Sequence, residues 1–360
     1  MHLCFSITAH GFGHGAISCS VINRLLTHYP HIKVSVMTLL AKRYLDSRLT
    51  GDFDYYDVGS DFGMLMSSPI GIDIKNSRDK YQHLFENWQQ CVDVEKQLLA
   101  MMQPDILISN ISPISLDAAH QLGIKTASVA PFNWAQIYQA YCLDNSVNTQ
   151  AVYQKMHSVY QAVEQVFKPL PFVPLNDGNE IAIASINDQP TTDLTALLKH
   201  LPLGIKKIGL IALGGLPFPL DLNNWPEEPG LQWLVDQSIP PLRSDMTQIA
   251  SLPIPFLQLV AASDFIITKP GYGTYCEIAS LAKHKKIRVM SLIRPDWPET
   301  PHLNEFLSAR VPFVEVEEKQ LTGQTLKVVM KKLSTCDYPN EYACEDGAMQ
   351  LVKQLLKIKG

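Results

Sequence analysis

The sequence predicts an α/β protein built from two doubly wound domains, and three observations indicate this. Its 360 residues are more than one hydrophobic core usually serves and suit two domains of about 150 to 180 residues. Short continuous apolar runs alternate with helical patterns, which is typical of a parallel sheet covered by helices on both faces. A proline-dense stretch at 168–174 interrupts this alternation, and the same rhythm then restarts. We therefore predict a first domain at 1–168, a linker at 169–176, a second domain at 177–345 and a C-terminal helix at 346–360.

Hydrophobic periodicity assigns the elements of the first half in order. Apolar residues at three- and four-residue steps predict helices, and the long stripe in 78–102 is typical of a helix face buried in a core rather than of a binding surface. The predicted strands are 3–8, 33–38, 106–109 and 126–130, and the predicted helices are 16–28, 78–102 and 113–122.

The second half repeats the pattern. The predicted strands are 207–213, 264–268, 288–292 and 313–316, and the predicted helices are 275–282 and 347–359. In doubly wound sheets, ligands bind beyond the carboxyl ends of the strands. Functional side chains are therefore expected in the loops that follow these strands, and two such domains would leave a ligand-binding cleft between them.

Composition and charge exclude several functional classes. With 30 Lys and Arg against 35 Asp and Glu, the net charge is −5, which disfavours a nucleic-acid partner. The longest apolar runs are shorter than the roughly 20 residues that span a bilayer, and the N-terminus begins as a strand rather than as a signal peptide. Seven scattered cysteines without CxxC spacing predict neither a disulfide framework nor a thiolate zinc site. We therefore expect a cytoplasmic protein.

The loop after the first predicted strand, 8–15, carries three glycines and two histidines. Glycines let a backbone approach a ligand closely, and the helix that follows points its free N–H groups at the same place. The spacing is GxGxG rather than GxGxxG, and no acidic residue follows the second strand to bind a ribose. The sequence therefore predicts no NAD or FAD site.

His10 and His14 are the candidate catalytic residues in that loop. A neutral imidazole at the carboxyl end of a strand can accept a proton from a hydroxyl group or a water at pH 7. The alternative is a histidine that only braces the turn through backbone hydrogen bonds. A metal site would need a third ligand, which the sequence does not obviously supply, so no metal is predicted.

A second glycine-containing loop, 269–277, follows the predicted strand at 264–268. Gly271, Gly273 and Thr274 stand at the start of a helix, where exposed N–H groups bind phosphate oxygens. Lys269 would add a second phosphate contact, and Glu277 could accept hydrogen bonds from both hydroxyls of a ribose. The alternative for Glu277 is an ordinary first-turn acid that stabilises the helix dipole.

Other polar residues also follow predicted strands. Gly214 and Gly215 end the strand at 207–213 and could approach a diphosphate, or could simply form a turn. In the loop 294–304, dense polar groups beside an aromatic suit hydrogen bonding to a sugar; the alternative is a solvated proline-rich loop. The candidate sugar or acceptor residues are Asn110, Asn133, Arg294, Asp296, Glu299, His302 and Asn304. The sequence lacks GxxxxGKS/T and GxSxG, which excludes a P-loop kinase and the nucleophile elbow of α/β-hydrolases.

Four motifs together resemble GT-B glycosyltransferases: GFGH at 11–14, the segment 104–113, APFNW at 130–134 and the segment 263–277. The resemblance is strongest to the glycosyltransferase-like N-terminal module of L-arabinokinases and its free-standing bacterial relatives, and it covers most of the chain. It implies two facing Rossmann-like domains, with a nucleotide-sugar held mainly by the second and an acceptor mainly by the first. It also implies a last helix that crosses back onto the first domain, and no metal requirement.

The resemblance further implies roles for single residues. Gly13 and His14 match the family's glycine-rich loop, in which a histidine at this place is the general base in several members. Gly271, Gly273 and Thr274 match the diphosphate loop, and Glu277 matches the ribose-binding acid. Gly214 and Gly215 match a second loop near the phosphates, but here Leu-Pro-Phe-Pro follows them instead of a Ser- or Gly-rich turn.

The predicted function is a metal-independent glycosyltransferase that moves a sugar from a nucleotide-diphosphate sugar, expected to be a UDP-sugar, to an acceptor hydroxyl. The nucleotide-sugar would be a co-substrate, and no further cofactor is predicted. The alternatives are a sugar-nucleotide hydrolase or epimerase on the same fold, and a protein that binds nucleotide-sugars without catalysis. The sequence does not specify the sugar, the acceptor or the oligomeric state, and it leaves peripheral membrane contact open.

Overall fold

The computed structural model describes residues 1–68, 70–174, 179–188, 194–214, 220–236, 243–339 and 345–358. The chain divides into two compact units. The first consists of Met1–Ser67, Gly71–Asn187 and Glu345–Gly360, and the second of Ser68–Ile70 and Asp188–Cys344. The first unit thus extends beyond the predicted linker at 169–176, whose last two residues lie outside the described part of the chain.

The described residues of the first unit form a seven-stranded parallel sheet in the order β3-β2-β1-β4-β5-β6-β7. Its central strands are runs of buried residues, as expected for a sheet covered on both faces. The proline-dense stretch begins inside this sheet, because Lys168 and Pro169 pair with Ala182 and Ile183 of the next strand. The strands are β1 (His2–Ile7), β2 (Lys33–Met37), β3 (Asp54–Tyr56), β4 (Ile106–Asn110), β5 (Lys125–Val129), β6 (Gln165–Pro169) and β7 (Glu180–Ile183).

The first unit also differs from the prediction at residues 78–102. The predicted single helix at 78–102 is two helices that meet at Asn87, where the backbone has φ −108° and ψ 15°. The Asn87 amide donates to the carbonyl oxygen of His83 at 2.9 Å, a local bond that competes with continued helix. The helices are α1 (Phe12–His28), α2 (Lys42–Asp46), α3 (Ile74–Glu86), α4 (Trp88–Met102), α5 (Pro113–Gln121), α6 (Trp134–Tyr141) and α7 (Val147–Gln161).

In the second unit the described residues form a six-stranded parallel sheet in the order β10-β9-β8-β11-β12-β13. One face packs on an apolar core that includes Trp233, Ile267 and Met290. The strands are β8 (Lys207–Ala212), β9 (Leu231–Val235), β10 (Met246–Gln248), β11 (Phe265–Thr268), β12 (Arg288–Leu292) and β13 (Phe313–Val316). The helices are α8 (Thr195–Leu198), α9 (Phe256–Ala262), α10 (Tyr272–Leu281), α11 (Thr300–Ser308) and α12 (Gly323–Ser334). The prediction of two doubly wound, parallel α/β sheets is confirmed.

The last helix, α13 (Gly347–Leu355), belongs to the first unit and packs beside α1. Its start is fitted closely, because a Cβ built on Gly347 would lie 1.9 Å from the carbonyl oxygen of Ala184. The Gln350 side chain accepts from the Ala184 backbone N–H at 2.8 Å, and Arg24 pairs with Asp346 at 2.8 Å. Among the described residues, no helix combines the length and apolar character that crossing a membrane requires.

Each sheet has one point where the strand order reverses direction. In the first unit this point lies between β1 and β4, where Ile7 pairs with Asn110. In the second it lies between β8 and β11, where Ala212 pairs with Thr268. Such reversal points open a crevice beyond the carboxyl ends of the strands, which is where α/β sheets bind ligands.

Candidate functional site

The glycine- and histidine-rich loop lies at the reversal point of the first sheet. α1 begins at Phe12, earlier than the predicted start at Ala16, so His14 is already helical. Gly11 precedes the helix with φ 72°, a left-handed conformation that favours glycine. A Cβ on Gly15 would lie 2.5 Å from the Tyr44 ring, whereas one on Gly13 would have no described atom within 4 Å. Gly11 likewise has no described atom within 4 Å of a Cβ, so both Gly11 and Gly13 have open space beside them, and Gly13, unlike Gly11, has no positive φ that would strain a side chain.

The imidazole of His14 is held by the side chain of Asn110. Its Nδ1–H donates to Asn110 Oδ1 at 2.7 Å, and both residues are buried. The Asn110 amide nitrogen donates to the backbone oxygen of His14 and to Ser18 Oγ, each at 3.2 Å. The backbone oxygen of His14 can only accept, so the nitrogen of the Asn110 amide must face it and the amide oxygen must face the imidazole. Since that amide oxygen also only accepts, Nδ1 of His14 must carry the proton. The lone pair of neutral His14 is therefore on Nε2.

His14 is uncharged at neutral pH. Burial lowers its pKa to about 4, partly offset by the hydrogen bond to Asn110, which raises it. The ring centres of Trp134 and Phe132 lie 5.5 Å and 5.8 Å from that of His14. This apolar enclosure explains the desolvation and leaves a neutral imidazole that can accept a proton at Nε2.

His10 lies half-buried beside the same tryptophan. Its ring meets Trp134 edge-on at 5.0 Å between centres, and it is 6.4 Å from the His14 ring. Gly63 closes the other side: a Cβ there would be 2.7 Å from His10 Cγ and 2.6 Å from Trp134 Cη2. The structure thus brings the two predicted histidines together against Trp134.

Two buried carboxyl groups near this loop were not predicted. Asp61 accepts a hydrogen bond from the Thr8 hydroxyl, and Trp134 Nε1 donates to that hydroxyl at 3.3 Å. Burial raises the pKa of Asp61 to about 6, although its hydrogen bonds lower it. Asp61 therefore belongs to a hydrogen-bonded network with Thr8, the first residue of the histidine-containing loop.

The second buried carboxyl group, Glu95, lies on α4 and is fully buried. It accepts from Ser60 Oγ at 2.9 Å and from Ser115 Oγ, which is 2.6 Å from Ser6 Oγ. Burial raises the pKa of Glu95 to about 7; its serine hydrogen bonds lower it, and the nearby charge of Asp61 adds to the increase. Glu95 is thus a buried carboxyl group that accepts hydrogen bonds from two serine hydroxyls and has a pKa near neutral pH.

Asn133, predicted as a sugar or acceptor contact, has a structural role. Its side chain accepts from the Gln136 backbone N–H at 2.9 Å, and the Gln136 side chain accepts from the Asn133 N–H at 3.0 Å. This capping box begins α6 and places Trp134 in its first turn. The Asn133 side chain therefore supports the tryptophan that both histidines contact.

In the second unit, Lys269 and Gly214 meet at the reversal point. Gly214 has φ 88°, and a Cβ there would lie 3.0 Å from Lys269 Cε. Burial and, to a smaller extent, the positive charge of Arg294 together lower the pKa of Lys269 to about 8. The structure thus brings Lys269, Gly214 and Arg294 to one place, while the predicted Gly215 lies outside the described residues.

The predicted diphosphate loop leads into α10. The helix begins at Tyr272, earlier than the predicted 275, so Gly273 and Thr274 are in its first turn. Gly271 precedes it in extended conformation and, as a glycine, brings no side chain to cap this end. The geometry of an α-helix gives the first-turn N–H groups no carbonyl partner within the helix. Glu277 lies beyond the first turn and is 3% exposed, so the alternative of a first-turn acid is wrong.

The loop after β12 is built around a stacked arginine. The guanidinium carbon of Arg294 lies 4.1 Å from the centre of the Trp297 ring, and Trp297 Nε1 donates to Glu299 at 3.3 Å. All three residues are buried, so the alternative of a solvated loop is wrong for this part of the segment. His302 is half-buried in the first turn of α11, Asp296 is exposed, and Asn304 bonds Tyr275 and Glu315.

A metal centre was not predicted in either unit. In the ranges that the structure describes, no three His, Cys, Asp or Glu side chains are grouped so that they could hold a metal ion.

Two parallel, Rossmann-like units with these strand orders are the components of the GT-B fold, and the chain has that fold. A UDP-glucosyltransferase from Polygonum tinctorium is similar in structure, with a TM-score of 0.64, 12% identity, and coverage of 99% of this chain and 98% of that one. The UDP-GlcNAc 2-epimerase from Methanocaldococcus jannaschii is also similar, with a TM-score of 0.57, 13% identity, and coverage of 99% and 100%. These likenesses confirm the predicted resemblance at the level of the fold.

The sequence itself is similar to L-arabinokinase from Arabidopsis thaliana. The two are 23% identical over 339 residues, which cover 89% of this chain and 31% of the relative. The chain thus spans about a third of the length of that relative. No protein-family model matches the sequence.

Proposed function

We propose that this protein is a glycosyltransferase that needs no metal and moves a sugar from a UDP-sugar to a hydroxyl group of an acceptor. The observation that carries the proposal is the arrangement around His14: its Nδ1–H is committed to Asn110, and its Nε2 keeps a lone pair at neutral pH. A general base for an acceptor hydroxyl needs that tautomer and that charge state.

The transfer step follows from the chemistry of a buried imidazole. The acceptor oxygen attacks the anomeric carbon, the bond from that carbon to the diphosphate breaks, and the acceptor proton passes to His14 Nε2. A base with a pKa of about 4 cannot remove a proton from a free alcohol in advance. We therefore infer that the proton moves while the new C–O bond forms and the hydroxyl becomes acidic.

The second unit would hold the donor. The first-turn N–H groups at Gly273 and Thr274, with Lys269, offer donors and positive charge for phosphate oxygens. Glu277, buried in the next turn of the same helix, would accept from the ribose hydroxyls. Helix dipole and cation together would stabilise the charge that develops on the departing diphosphate, in the role that a metal has elsewhere.

The structural neighbours support a nucleotide-sugar substrate and leave the reaction open. One is named a UDP-glucosyltransferase and another a UDP-GlcNAc 2-epimerase. A hydrolase or an epimerase would use the same donor site, but it would turn the donor over without an acceptor. A binding protein would hold the donor with no turnover.

One assay separates these outcomes. UDP-, GDP-, dTDP- and ADP-sugars are incubated with EDTA, with and without a set of hydroxyl acceptors, and nucleotide release, glycoside formation and isomerisation of the donor sugar are measured. Turnover that needs an acceptor and falls about 10²- to 10⁴-fold in His14→Ala would support the proposal. The matched control is His120→Ala, since His120 is exposed on α5. Release of free sugar or isomerisation of the donor sugar without an acceptor, or binding without turnover, would replace it with one of the alternatives.

A further inference from the structure

Two cations lie at the carboxyl edge of the second sheet, next to its reversal point. β11 and β12 are neighbours, with Thr268 opposite Ser291. Lys269 directly follows β11, and Arg294 comes shortly after the end of β12. Both side chains therefore start from the edge at which α/β sheets bind their ligands.

Contacts within the second unit hold each cation in place. The end of the Lys269 side chain lies against Gly214, where the missing Cβ leaves room for it. The Arg294 guanidinium stacks on Trp297 at 4.1 Å, and the residue is 5% exposed. Stacking of this kind fixes the plane of a guanidinium and aims its edge N–H groups in a defined direction.

The two positive charges act on each other. After burial, the charge of Arg294 is the second cause of the lowered pKa of Lys269. Like charges in a poorly solvated place repel and raise the free energy of the protein without ligand. A ligand with two or more negative charges would remove that repulsion, whereas a single carboxylate would neutralise only one of the cations.

We propose that Arg294 and Lys269 together bind the diphosphate of the donor, so that Arg294 contacts phosphate rather than the sugar to which the sequence assigned it. This inference rests on the proposed function. An arginine fork matches two phosphate oxygens, and a lysine adds a compact charge. When the bond from the anomeric carbon to the β-phosphate oxygen breaks, its electron pair stays on that oxygen. The two cations stabilise the charge that this oxygen gains.

The test compares Arg294→Met with the wild type. UDP and inorganic pyrophosphate are titrated by calorimetry at pH 7 without metal, and uridine, which lacks phosphate, is titrated by ligand-observed NMR. We expect the variant to bind UDP and pyrophosphate about 10- to 100-fold more weakly, as for a lost hydrogen bond to a charged group. Its affinity for uridine should not change.

Arg310→Met is the matched control. Arg310 is also buried, at 8% exposed, and its guanidinium carbon lies 3.9 Å from the centre of the Phe306 ring. It precedes β13, however, and so lies at the amino end of that strand. Its variant should bind all three probes as the wild type does. If Arg294→Met does not fold, Arg294→Lys is compared with Arg310→Lys. Arg294→Lys keeps the charge but loses the guanidinium fork, so it should bind pyrophosphate more weakly than the wild type. Arg310→Lys should bind pyrophosphate as the wild type does.

The outcomes separate this inference from the proposed function. Wild-type affinity for UDP and pyrophosphate in a folded Arg294 variant would overturn the inference and leave the proposed function standing. An equal loss of uridine binding would also overturn it, because it would show general damage to the site. If the wild type binds pyrophosphate through Arg294 but does not bind UDP, Arg294 is a diphosphate ligand as inferred and a UDP-sugar is the wrong donor. If the wild type binds none of these, both fail.

Discussion

His14 and Asn110 form a closed pair: the imidazole Nδ1–H donates to the amide oxygen at 2.7 Å, and the amide nitrogen donates back to the His14 carbonyl at 3.2 Å. The pair joins the first turn of α1 to the last residue of β4. Because a neutral amide lies opposite the imidazole, the protein fixes its tautomer without lending it a negative charge.

Replacing Asn110 with Ala should release that tautomer. In the wild type we expect the proton on Nδ1; in Asn110→Ala the two tautomers should mix, and turnover should fall at least about tenfold, because only part of the protein presents a basic Nε2. Long-range ¹H–¹⁵N NMR of the imidazole reports the tautomer directly. Ser18→Ala is the control, because it removes a partner of the amide without touching the ring. A wild-type tautomer in Asn110→Ala would contradict this role.

The pH profile of the reaction should show the low basicity of His14. A general base must be unprotonated, so kcat/KM should fall on the acid side only as the pH approaches the His14 pKa of about 4. The measurement is kcat/KM from about pH 4, the His14 pKa, to mildly alkaline pH, with circular dichroism to check that the protein stays folded. An acid limb near the ordinary histidine pKa of about 6.5 would show that the ring is solvated when it acts.

Glu95→Gln should change how stability depends on pH. The Glu95 pKa is raised from 4.5 to about 7 on folding, so the folded chain holds a proton that the unfolded chain releases. The free energy of unfolding should therefore fall as the pH rises through this window, by on the order of 3 kcal/mol from this group. The glutamine variant lacks that fall because an amide does not titrate, and the amide can replace the protonated acid beside the serine hydroxyls.

Urea unfolding from pH 4.5 to pH 8 measures this difference. Relative to the wild type, Glu95→Gln should gain stability steadily as the pH rises. Glu86→Gln, an exposed carboxylate at the end of the neighbouring helix, should follow the wild-type curve. Parallel curves for all three proteins would mean that Glu95 is charged in the folded state.

The positions of the two glycine-containing loops at the carboxyl ends of β1 and β11 could be predicted from the sequence, because strands with continuous apolar character mark where each loop begins. The starts of two helices were predicted too late. α1 begins at Phe12 rather than at residue 16, and α10 begins at Tyr272 rather than at residue 275. Both helices are preceded by glycine and carry a further glycine in their first turn, so the usual Ser, Thr, Asp or Asn signal is missing. Propensity alone therefore left His14 and Thr274 in or near loops, whereas packing makes them helical.

The side chains that support the site were harder to find, although two of them left a signal. Glu95 lies in the apolar stripe of α4, between Val92 and Leu99, where a lone acid indicates a buried carboxyl group. Asn133 stands three residues before Gln136, the spacing of a capping box. Asp61 has no such signal in the sequence. It follows β3, a strand of three residues without a clear hydrophobic pattern, and only the folded chain brings it to Thr8.

Gly13→Ala should separate stability from activity. A Cβ at this position meets no described atom within 4 Å, and the residue is helical, so alanine should raise the free energy of unfolding by up to about 1 kcal/mol. If the open space belongs to a ligand, the added methyl group should at the same time weaken substrate binding or slow turnover. Thermal unfolding and the transfer assay measure the two effects on the same samples.

Gly63→Ala is the contrasting variant. Gly63 has φ 68°, and its new Cβ would lie within 2.7 Å of both His10 and Trp134, so alanine should cost about 1 to 3 kcal/mol of stability. It should also lower activity, but only by displacing the rings that enclose His14. A Gly13→Ala protein that is more stable and fully active would show that no ligand approaches the backbone there. A Gly13→Ala protein that is less stable would show that the space is already filled by the protein.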